Sequence, residues 1–426
     1  MTAVLRRPRE TPPLDTRTWT IGAPRLLAGL DTADRLDLRE HLGTHGPLPA
    51  VEFDRLLAVL DAVGGLPGRG GAGFPFAAKL RALAPHRRRV VVNGAESEPA
   101  SRKDRVLLRR TPHLVLDGAL ATAAAIGARE VVVALHDETT AAAVRAAGAE
   151  RADAARLSVR VTPGGFVAGE ARALVRALDG GPALPPGRRT PPTDSGTVLS
   201  NAETFAQLAV LLRVGPHRYT DTGALDEPGT TLLTVGGAVD RAGVVELPTG
   251  TPLGIVLAAA GVVERPQAVV VGGYHGAWCA PIPEIRLSRA GLRSAGGTLG
   301  AGVLLVVDHG TCALGELARV AGWLAGESAR QCGPCRFGLP ALAADVAALA
   351  AGQPAPGGRP GRQLSTVEAA LDHARAVTGR GACAHPDGAA RFVTSGVHLL
   401  HDEIDRHLES GGCGRPVLGR LPIGAA

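Results

Sequence analysis

The sequence predicts an α/β unit built on a mainly parallel sheet, then a small β-grasp-like module, then a helical C-terminal bundle. Three observations carry this. Strand and helix patterns alternate through the first half, as a parallel sheet covered by helices requires. Near Pro228 the order changes to strand, strand, helix, strand. From about Gly310 the apolar spacing becomes helical. At 426 residues the chain exceeds one typical core, so two to four domains are expected. The changes of pattern place an N-terminal extension at 1–47, the α/β unit at 48–227, the β-grasp-like module at 228–309 and the helical region at 310–426.

The elements follow in order. The first forty-odd residues are rich in Pro and Arg before turning helical at "RLDLREHL". From Val51, "VEFDRLLAVLDAVGG" has helical periodicity and stops at paired glycines. A glycine-rich loop, "LPGRGGAGFP", runs into the short helix "FAAKLRALA", and "RRRVVVNGAESEP" reads as a buried strand with an acidic far end. "PHLVLDGALATAAAIGAREVVVALHD" is helix then strand, and "AAAVRAAGAE" followed by "RLSVRVTP" repeats the unit. A Pro/Gly loop at 180–196 precedes a helix read as "SNAETFAQLAVLLRVG". In the next module "TTLLTVGGAV" and "GVVELP" are strands, "PLGIVLAAAG" a helix capped by Thr251, and "QAVVVGGY" a strand. The helical region is interrupted by a loop at 352–362 and ends in one helix, "TSGVHLLHDEIDRHLESGG".

Composition narrows the function. Hydrophobic residues are 45%, charged residues 20% and the net charge +6, with no basic block interleaved with aromatics, so a nucleic-acid role has no support. No apolar run reaches membrane-spanning length, and the arginines of the first residues are not followed by the apolar segment of a signal peptide. Six cysteines in so long a chain do not make a secreted disulfide scaffold; a reducing cytoplasm and a metal site fit better. Among 46 Lys plus Arg, only Lys79 and Lys103 are lysine, and the chain's two asparagines are Asn93 and Asn201. In a composition that favours Ala, Gly, Arg and Pro, these four mark places where a compact ammonium or a paired amide donor and acceptor has no substitute.

Gly68-Arg69-Gly70-Gly71-Ala-Gly73 fits G-x-G-x-x-G but follows a helix rather than the strand a dinucleotide fingerprint needs. Taken alone it is as readily a tight turn. Its glycines would still let backbone amides approach a phosphate at the next helix start, with Arg69 and Lys79 supplying positive charge on either side. Asn93-Gly-Ala-Glu96-Ser-Glu98-Pro stands at the carboxyl end of a predicted strand, the edge where open α/β sheets bind ligands; a solvated acidic turn is the alternative. Cys332-Gly-Pro-Cys335 and the later Cys383 form a thiol set. A thioredoxin-type dithiol would need a preceding strand, whereas the lead-in is helical. Zinc would need four ligands, which His385 could help complete, and unligated buried cysteines are the third possibility. Cys279, Cys312 and Cys413 are read as unligated structural cysteines.

Together these motifs resemble the flavoprotein subunit of respiratory complex I, the NADH-oxidising F-type subunit shared with NAD-linked hydrogenases and formate dehydrogenases. The resemblance runs from about residue 50 to 413 and rests on "GRGGAGFP…K", "NGAESEP…KDR", Gly169-Glu170, "SNAET", "ES…QC.PCR.G" and Cys383 in the family's order. It implies a flavin domain, an SLBB-type β-grasp insert and a C-terminal helical bundle carrying a 4Fe–4S cluster. It further implies that Gly68, Arg69, Gly70, Gly71, Lys79, Asn93, Glu96, Ser200, Asn201 and Thr204 hold FMN. Phe74 and Glu98 would lie toward the nicotinamide of NAD(P)H, with Glu170 near the flavin and Cys332, Cys335 and Cys383 as cluster ligands. Electrons would pass to a small iron–sulfur or ferredoxin-like protein, or to other subunits of a complex.

The chain departs from the family at four places. Ala95 replaces an acidic residue, Gly169-Glu170-Ala171 replaces Gly-Glu-Glu, Phe166 replaces a tyrosine, and Ala329 stands where the first cluster cysteine belongs. A cluster here would be three-cysteine or differently ligated. Two alternatives stay open: a non-catalytic assembly module on the same fold, and a flavin-only diaphorase.

Overall fold

The computed structural model describes residues 17–84, 88–187, 191–354 and 365–423. The first sixteen residues, parts of the predicted 180–196 loop and most of the 352–362 loop lie outside them. The described chain opens with β1 (Thr18–Thr20) and α1 (Leu38–His45), the latter closed by a capping box between Asp37 and Glu40. The α/β unit then runs α2 (Phe53–Asp61), α3 (Phe76–Arg81), β2 (Arg89–Asn93), α4 (Lys103–Arg110), α5 (Pro112–Ile126), β3 (Glu130–Leu135), α6 (Glu138–Ala149), β4 (Leu157–Val161), α7 (Ala171–Leu178), β5 (Thr197–Asn201) and α8 (Ala202–Thr220). Its four strands are all parallel, in the order β4-β3-β2-β5. Val90, Val91 and Val92 of β2 are fully buried, as a central parallel strand covered on both faces must be. Asp137 caps α6, Glu170 caps α7 and Asn201 caps α8, while Pro112 opens α5 and left-handed Gly127 closes it.

The second sheet is mixed. After the hairpin β6 (Gly223–Ala224) and β7 (Glu227–Pro228) come β8 (Thr230–Gly237), β9 (Gly243–Pro248), α9 (Leu253–Ala259), β10 (Ala268–Val271), β11 (Ala277–Cys279), α10 (Arg289–Ser294) and β12 (Val303–Val307). Six strands order as β1-β9-β8-β12-β10-β11, so the N-terminal stretch supplies one edge, pairing parallel to β9. The C-terminal region is helical: α11 (Ala313–Gly326), a π-helical turn over Pro334–Gly338, α12 (Leu339–Ala350), α13 (Thr366–Val377), α14 (His385–Leu399) and α15 (His401–Ser410). It packs on β11, where Trp278 N–H donates to Ser395 Oγ at 3.0 Å, and the Tyr274 hydroxyl donates to the Pro422 carbonyl at 2.6 Å.

The alternating α/β region and the helical C-terminal region agree with the sequence reading; three local expectations are corrected. "TVLSN" is a strand and not part of the following helix, because Val198 and Leu199 are buried beside β2 and helical geometry starts only after the Asn201 cap. Thr251 does not cap α9: its hydroxyl donates to the Pro248 carbonyl at 2.7 Å, and Pro252 holds the N-cap position. The last helix is two, parted at Leu400 (φ −96°, ψ 22°), whose side chain turns into the core. Strands β1, β11 and β12 and helix α4 were not read from the sequence: β1 and β11 are three residues each, while the apolar run "VLLVV" of β12 was a strand signal passed over.

The N-terminal stretch is fastened by one buried carboxylate. Glu246 on β9 accepts the backbone N–H groups of Arg25, Leu26 and Leu27 at 2.9–3.0 Å and the Thr230 hydroxyl at 2.7 Å. Replacing it with alanine strands three backbone donors away from water, each costing roughly 1–3 kcal/mol. Glu246→Ala is expected to lower the urea midpoint markedly and to expose residues near Leu27 to proteolysis before the rest unfolds. An unchanged midpoint would show that the stretch is not fastened this way.

Candidate functional site

The glycine-rich loop between α2 and α3 packs against the junction of β5 and α8. A Cβ on Gly70 would stand 3.2 Å from Asn201 Cβ, a tight contact, and Gly71 adopts φ +97°, a left-handed backbone that favours glycine. The Arg69 backbone N–H donates to Thr204 Oγ1 at 2.9 Å. Its side chain turns inward: Nη1 donates to Glu227 Oε1 at 2.8 Å and Nη2 to the Thr230 carbonyl at 3.1 Å. Arg289 of α10 joins from the second sheet, pairing with Glu227 and donating to the Gly68 carbonyl at 2.6 Å. The expectation that the Arg69 charge faces a ligand is therefore corrected; that charge is spent on fixing the loop.

Four further residues singled out in the sequence also serve the frame. Lys103 is buried, with Nζ 2.8 Å from Asp104 Oδ1, 3.0 Å from Glu203 Oε2 and 3.0 Å from Asn201 Oδ1. Asn201 Nδ2 donates to Asp104 Oδ2 at 2.5 Å. Glu96 accepts from Ser101 Oγ at 2.5 Å and from the N–H groups of Asp104 and Arg105, so its carboxylate caps the start of α4. Thr204 is fully buried under the glycine loop. Glu96, Thr204 and the Arg69 side chain thus lie behind the site and not in it.

In front of this frame is a cavity of about 500 Å³ between the α/β unit, the second sheet and the C-terminal helices. Gly68, Gly70, Gly71, Phe74, Lys79, Asn93, Glu98, Glu170, Ser200 and Asn201 all line it, and so does Cys383. Lys79 Nζ donates to the Leu199 carbonyl at 2.9 Å and lies 3.4 Å from Ser200 Oγ; among the described residues no carboxylate pairs with it. Burial lowers its ammonium to about 8. Asn93 Nδ2 donates to the Gly169 carbonyl at 2.9 Å, and its Oδ1 accepts the Ala95 N–H at 3.1 Å. Glu170 Oε2 accepts the N–H groups of Arg172 and Ala173, and its Oε1 accepts from Arg172 Nε at 2.7 Å, so both carboxylate oxygens are engaged at the start of α7. Phe74 is 53% exposed at the mouth.

The cavity also has lining that the sequence reading missed. Phe166 packs edge-on to His275, His385 and Trp323. His385 Nε2 donates to the Leu324 carbonyl at 2.9 Å, so its Nδ1 is the acceptor facing His275 Nε2, also at 2.9 Å. Both ring nitrogens of His385 are thereby engaged, which corrects the idea that it completes a metal set with Cys383. The only sequence signal for His275, Thr298 and Gly300 was a pair of glycine-flanked turns, "GGYHG" and "TLGAG". Ala95 packs with Val91, Val132 and Leu174 behind β2, so an acidic group there would have been buried among apolar side chains.

The thiol set stands beside the cavity. The Cys332 and Cys335 sulfurs interact with each other, and Cys383 adds its charge to both. Burial first, then these neighbours, push the Cys335 thiol up to about 12. Ala329 is half-buried at the fourth position, and Arg330 takes φ +52°, a left-handed backbone that non-glycine residues rarely adopt. Glu327 ties this loop to the cavity wall by accepting the Phe166 N–H at 3.0 Å.

Glu98 supplies a test of cavity electrostatics. Its Oε2 accepts the Tyr274 N–H at 2.9 Å, while its buried Oε1 has no partner. Burial raises the carboxyl to about 7. An acid whose pKa rises on folding stabilises the fold fully below its unfolded value and loses that contribution as pH climbs through the folded one. Between about pH 4.5 and 7.5, wild-type protein is expected to lose about 3 kcal/mol relative to Glu98→Gln, at 1.36 kcal/mol per unit. Urea titrations of both proteins at the two pH values check this; parallel curves would mean that Glu98 is ionised throughout.

Known proteins share this arrangement. Residues 62–210 match the family described as the Nuo51 FMN-binding domain, and residues 308–407 match the NADH-ubiquinone oxidoreductase-F iron-sulfur binding region. The chain is 30% identical over 434 residues to the F-type subunit of NADH-quinone oxidoreductase of Mycobacterium tuberculosis, covering 94% of each chain. It is 29% identical to the protein of the same name in Streptomyces coelicolor, covering 88% of each. Among solved structures it resembles an NAD+-reducing NiFe hydrogenase in the air-oxidized state, with TM-score 0.78 and 28% identity over 93% of this chain and 68% of that one. With a glycine loop, a lysine that no carboxylate pairs and a thiol set around one cavity, and relatives matched along nearly the whole length, the chain belongs to the family of F-type subunits of NADH-quinone oxidoreductase.

Proposed function

We propose that this chain holds FMN in the cavity, oxidises NADH there and passes electrons through an iron–sulfur centre at Cys332, Cys335 and Cys383 to a partner protein. The observation that carries the reading is Lys79, a half-buried ammonium that lines the cavity and has no carboxylate partner among the described residues. A cation so placed calls for an anionic ligand such as a phosphate or a reduced flavin ring. The cavity volume falls within the roughly 300–1,000 Å³ usual for small-molecule and cofactor sites. When bound, FMN accepts hydride from a nicotinamide and releases electrons singly, chemistry that belongs to the cofactor.

The chain's own groups bind and orient. The amides around Gly68, Gly70 and Gly71 offer close backbone approach, while Asn93, Ser200 and Asn201 offer polar contacts along the carboxyl edge of β2 and β5. Phe74 and Glu98 are assigned to the nicotinamide side, Glu170 to the flavin side. Cys383 borders the cavity and interacts with Cys332 and Cys335, which supports an electron path from cavity to thiols. The buried Ser328 hydroxyl beside the Cys335 thiol has no hydrogen-bond partner, which leaves its oxygen available where Ala329 gives no thiolate. Phe337, 69% exposed just beyond Cys335, marks a face for an iron–sulfur or ferredoxin-like partner or another component of a larger complex. A flavin-only enzyme is the second reading, favoured by Ala329 alone.

The four-part division at 1–47, 48–227, 228–309 and 310–426 is retained, with 228–309 read as an SLBB-like β-grasp; the β8–β9 hairpin followed by α9 and β10 supports it. Among the described residues no helix is long and apolar enough to cross a membrane. Six unbridged cysteines support a reducing, cytoplasmic setting.

Lys79→Ala is expected to weaken FMN retention by about 1.5–3 kcal/mol, roughly ten- to hundredfold in Kd. Flavin fluorescence on dilution reads this, and wild-type protein that takes up no FMN on reconstitution would sink the proposal. Ala329→Cys is expected to slow the loss of iron and visible absorbance in air after anaerobic reconstitution. Equal loss from both proteins, or iron content unaffected by Cys335→Ala, would place any cluster elsewhere.

A further inference from the structure

Away from the cavity, a second cysteine group gathers where the C-terminal tail crosses the helical region. Cys312 stands at the N-cap of α11, Glu403 and His407 lie one turn apart on α15, and Cys413 follows the Gly411-Gly412 turn. One ligand atom from each lies within 4.8 Å of all the others. Cys312, Glu403 and His407 are at most 4% exposed.

We propose that Cys312, Glu403, His407 and Cys413 form a closed, structural zinc site that fastens the tail to α11 and α15. Three features favour a metal over a chance group of buried thiols. The tautomer is set for ligation: His407 Nδ1 donates to the Ala350 carbonyl at 2.7 Å, which leaves the Nε2 lone pair facing Cys312 Sγ at 3.4 Å. For tetrahedral zinc, with Zn–S near 2.3 Å and Zn–N near 2.0 Å, that edge is expected at roughly 3.5 Å. Glu403 Oε1 is 4.0 Å from the same nitrogen, within a small side-chain adjustment of a shared ion.

Charge points the same way. Two thiolates and a carboxylate around a dication leave one negative charge, and Arg415 Nη2 lies 2.5 Å from Glu403 Oε2 to balance it. Glu403 Oε1 also accepts the Leu314 N–H at 3.1 Å, which fixes the carboxylate in place beside the thiols, and without an ion the His407 lone pair would face only a weak S–H donor. The donors are too close-set for an iron–sulfur cubane, and two sulfurs with one imidazole suit zinc over harder ions. The surroundings are built to hold the tail: the Cys312 N–H donates to the Pro416 carbonyl at 2.8 Å and the Leu418 N–H to Thr311 Oγ1 at 3.0 Å.

The test is metal analysis of the full chain, untagged and purified anaerobically with reductant and no chelator. One zinc per chain is expected in wild-type protein, retained in Cys335→Ala and lost in Cys413→Ser and His407→Gln. Should a variant fail to fold, wild-type protein carries the test: a strong chelator is expected to lower its Tm and added zinc to restore it, while cobalt(II) at the site should give thiolate charge-transfer absorption. Wild-type protein with no zinc and no Tm response overturns the proposal. So does zinc that persists in both Cys413→Ser and His407→Gln, zinc lost on Cys335→Ala instead, iron in its place, or a Cys312–Cys413 disulfide under reductant. Because FMN binding is scored separately, failure here leaves the flavin reading untouched.

Discussion

The site depends on a buried, charge-balanced network that joins the two sheets. Arg69, Lys103 and Arg289 supply three positive charges; Asp104, Glu203 and Glu227 supply three negative ones. Glu203 also accepts the Leu232 N–H of β8 at 3.1 Å, and the Arg102 N–H donates to Thr234 Oγ1 at 2.9 Å. Such a network is costly to desolvate and worth having only if every member is partnered. Here it holds the glycine loop, the start of α4, the β5–α8 junction and β8 in one arrangement. Removing any one charge would leave the buried network one charge out of balance, while Glu203 and Glu227 each bridge two cations, so the cavity's shape is over-determined from behind.

That frame explains why the two lysines behave oppositely. Lys103 is buried beside Asp104 and Glu203, with Glu96 nearby, and these carboxylates outweigh the burial that would lower its pKa. Lys79 has only a carbonyl and a hydroxyl, and burial alone prevails. The structural lysine is neutralised within the protein; the other keeps its charge for whatever enters the cavity. A sequence rich in arginine retains lysine at both because a guanidinium fork would fit neither the tight Asp104–Glu203 pocket nor the single Leu199 carbonyl.

This also marks how much was legible beforehand. The rarity of lysine and asparagine pointed to the right neighbourhood, since all four residues lie within or directly behind the cavity wall. It could not separate ligand-facing groups from frame groups, because Arg69, Glu96 and Thr204 carry the same residue types and motif positions as true lining residues. Their partners, Glu227, the start of α4 and the Arg69 amide, are distant in sequence or visible only as backbone. His275 was missed for a related reason: a lone His has no local pattern, and Phe166, noted only as a replacement for tyrosine, is set against it by the Glu327 carboxylate from the C-terminal region. The strand β5 was misread because polar Ser200 and Asn201 at its end resemble a helix cap, which Asn201 indeed is.

The C-terminal region sets its cysteines at two places with different demands. Cys332 and Cys335 lie near the cavity in a segment with an unfavourable backbone at Arg330 and a π-helical turn, and Cys383 joins them from the turn before α14. Cys312 and Cys413 lie at the far end of α11, in regular helix-capping and tail geometry with no such strain. α11 runs between the two groups, so anything that fixes its N-terminus also fixes where its C-terminus delivers Glu327 and the loop after it. Glu327 in turn holds Phe166 against the cavity wall. Order at the tail is thus linked mechanically, through one fourteen-residue helix, to the position of the thiols that border the cavity.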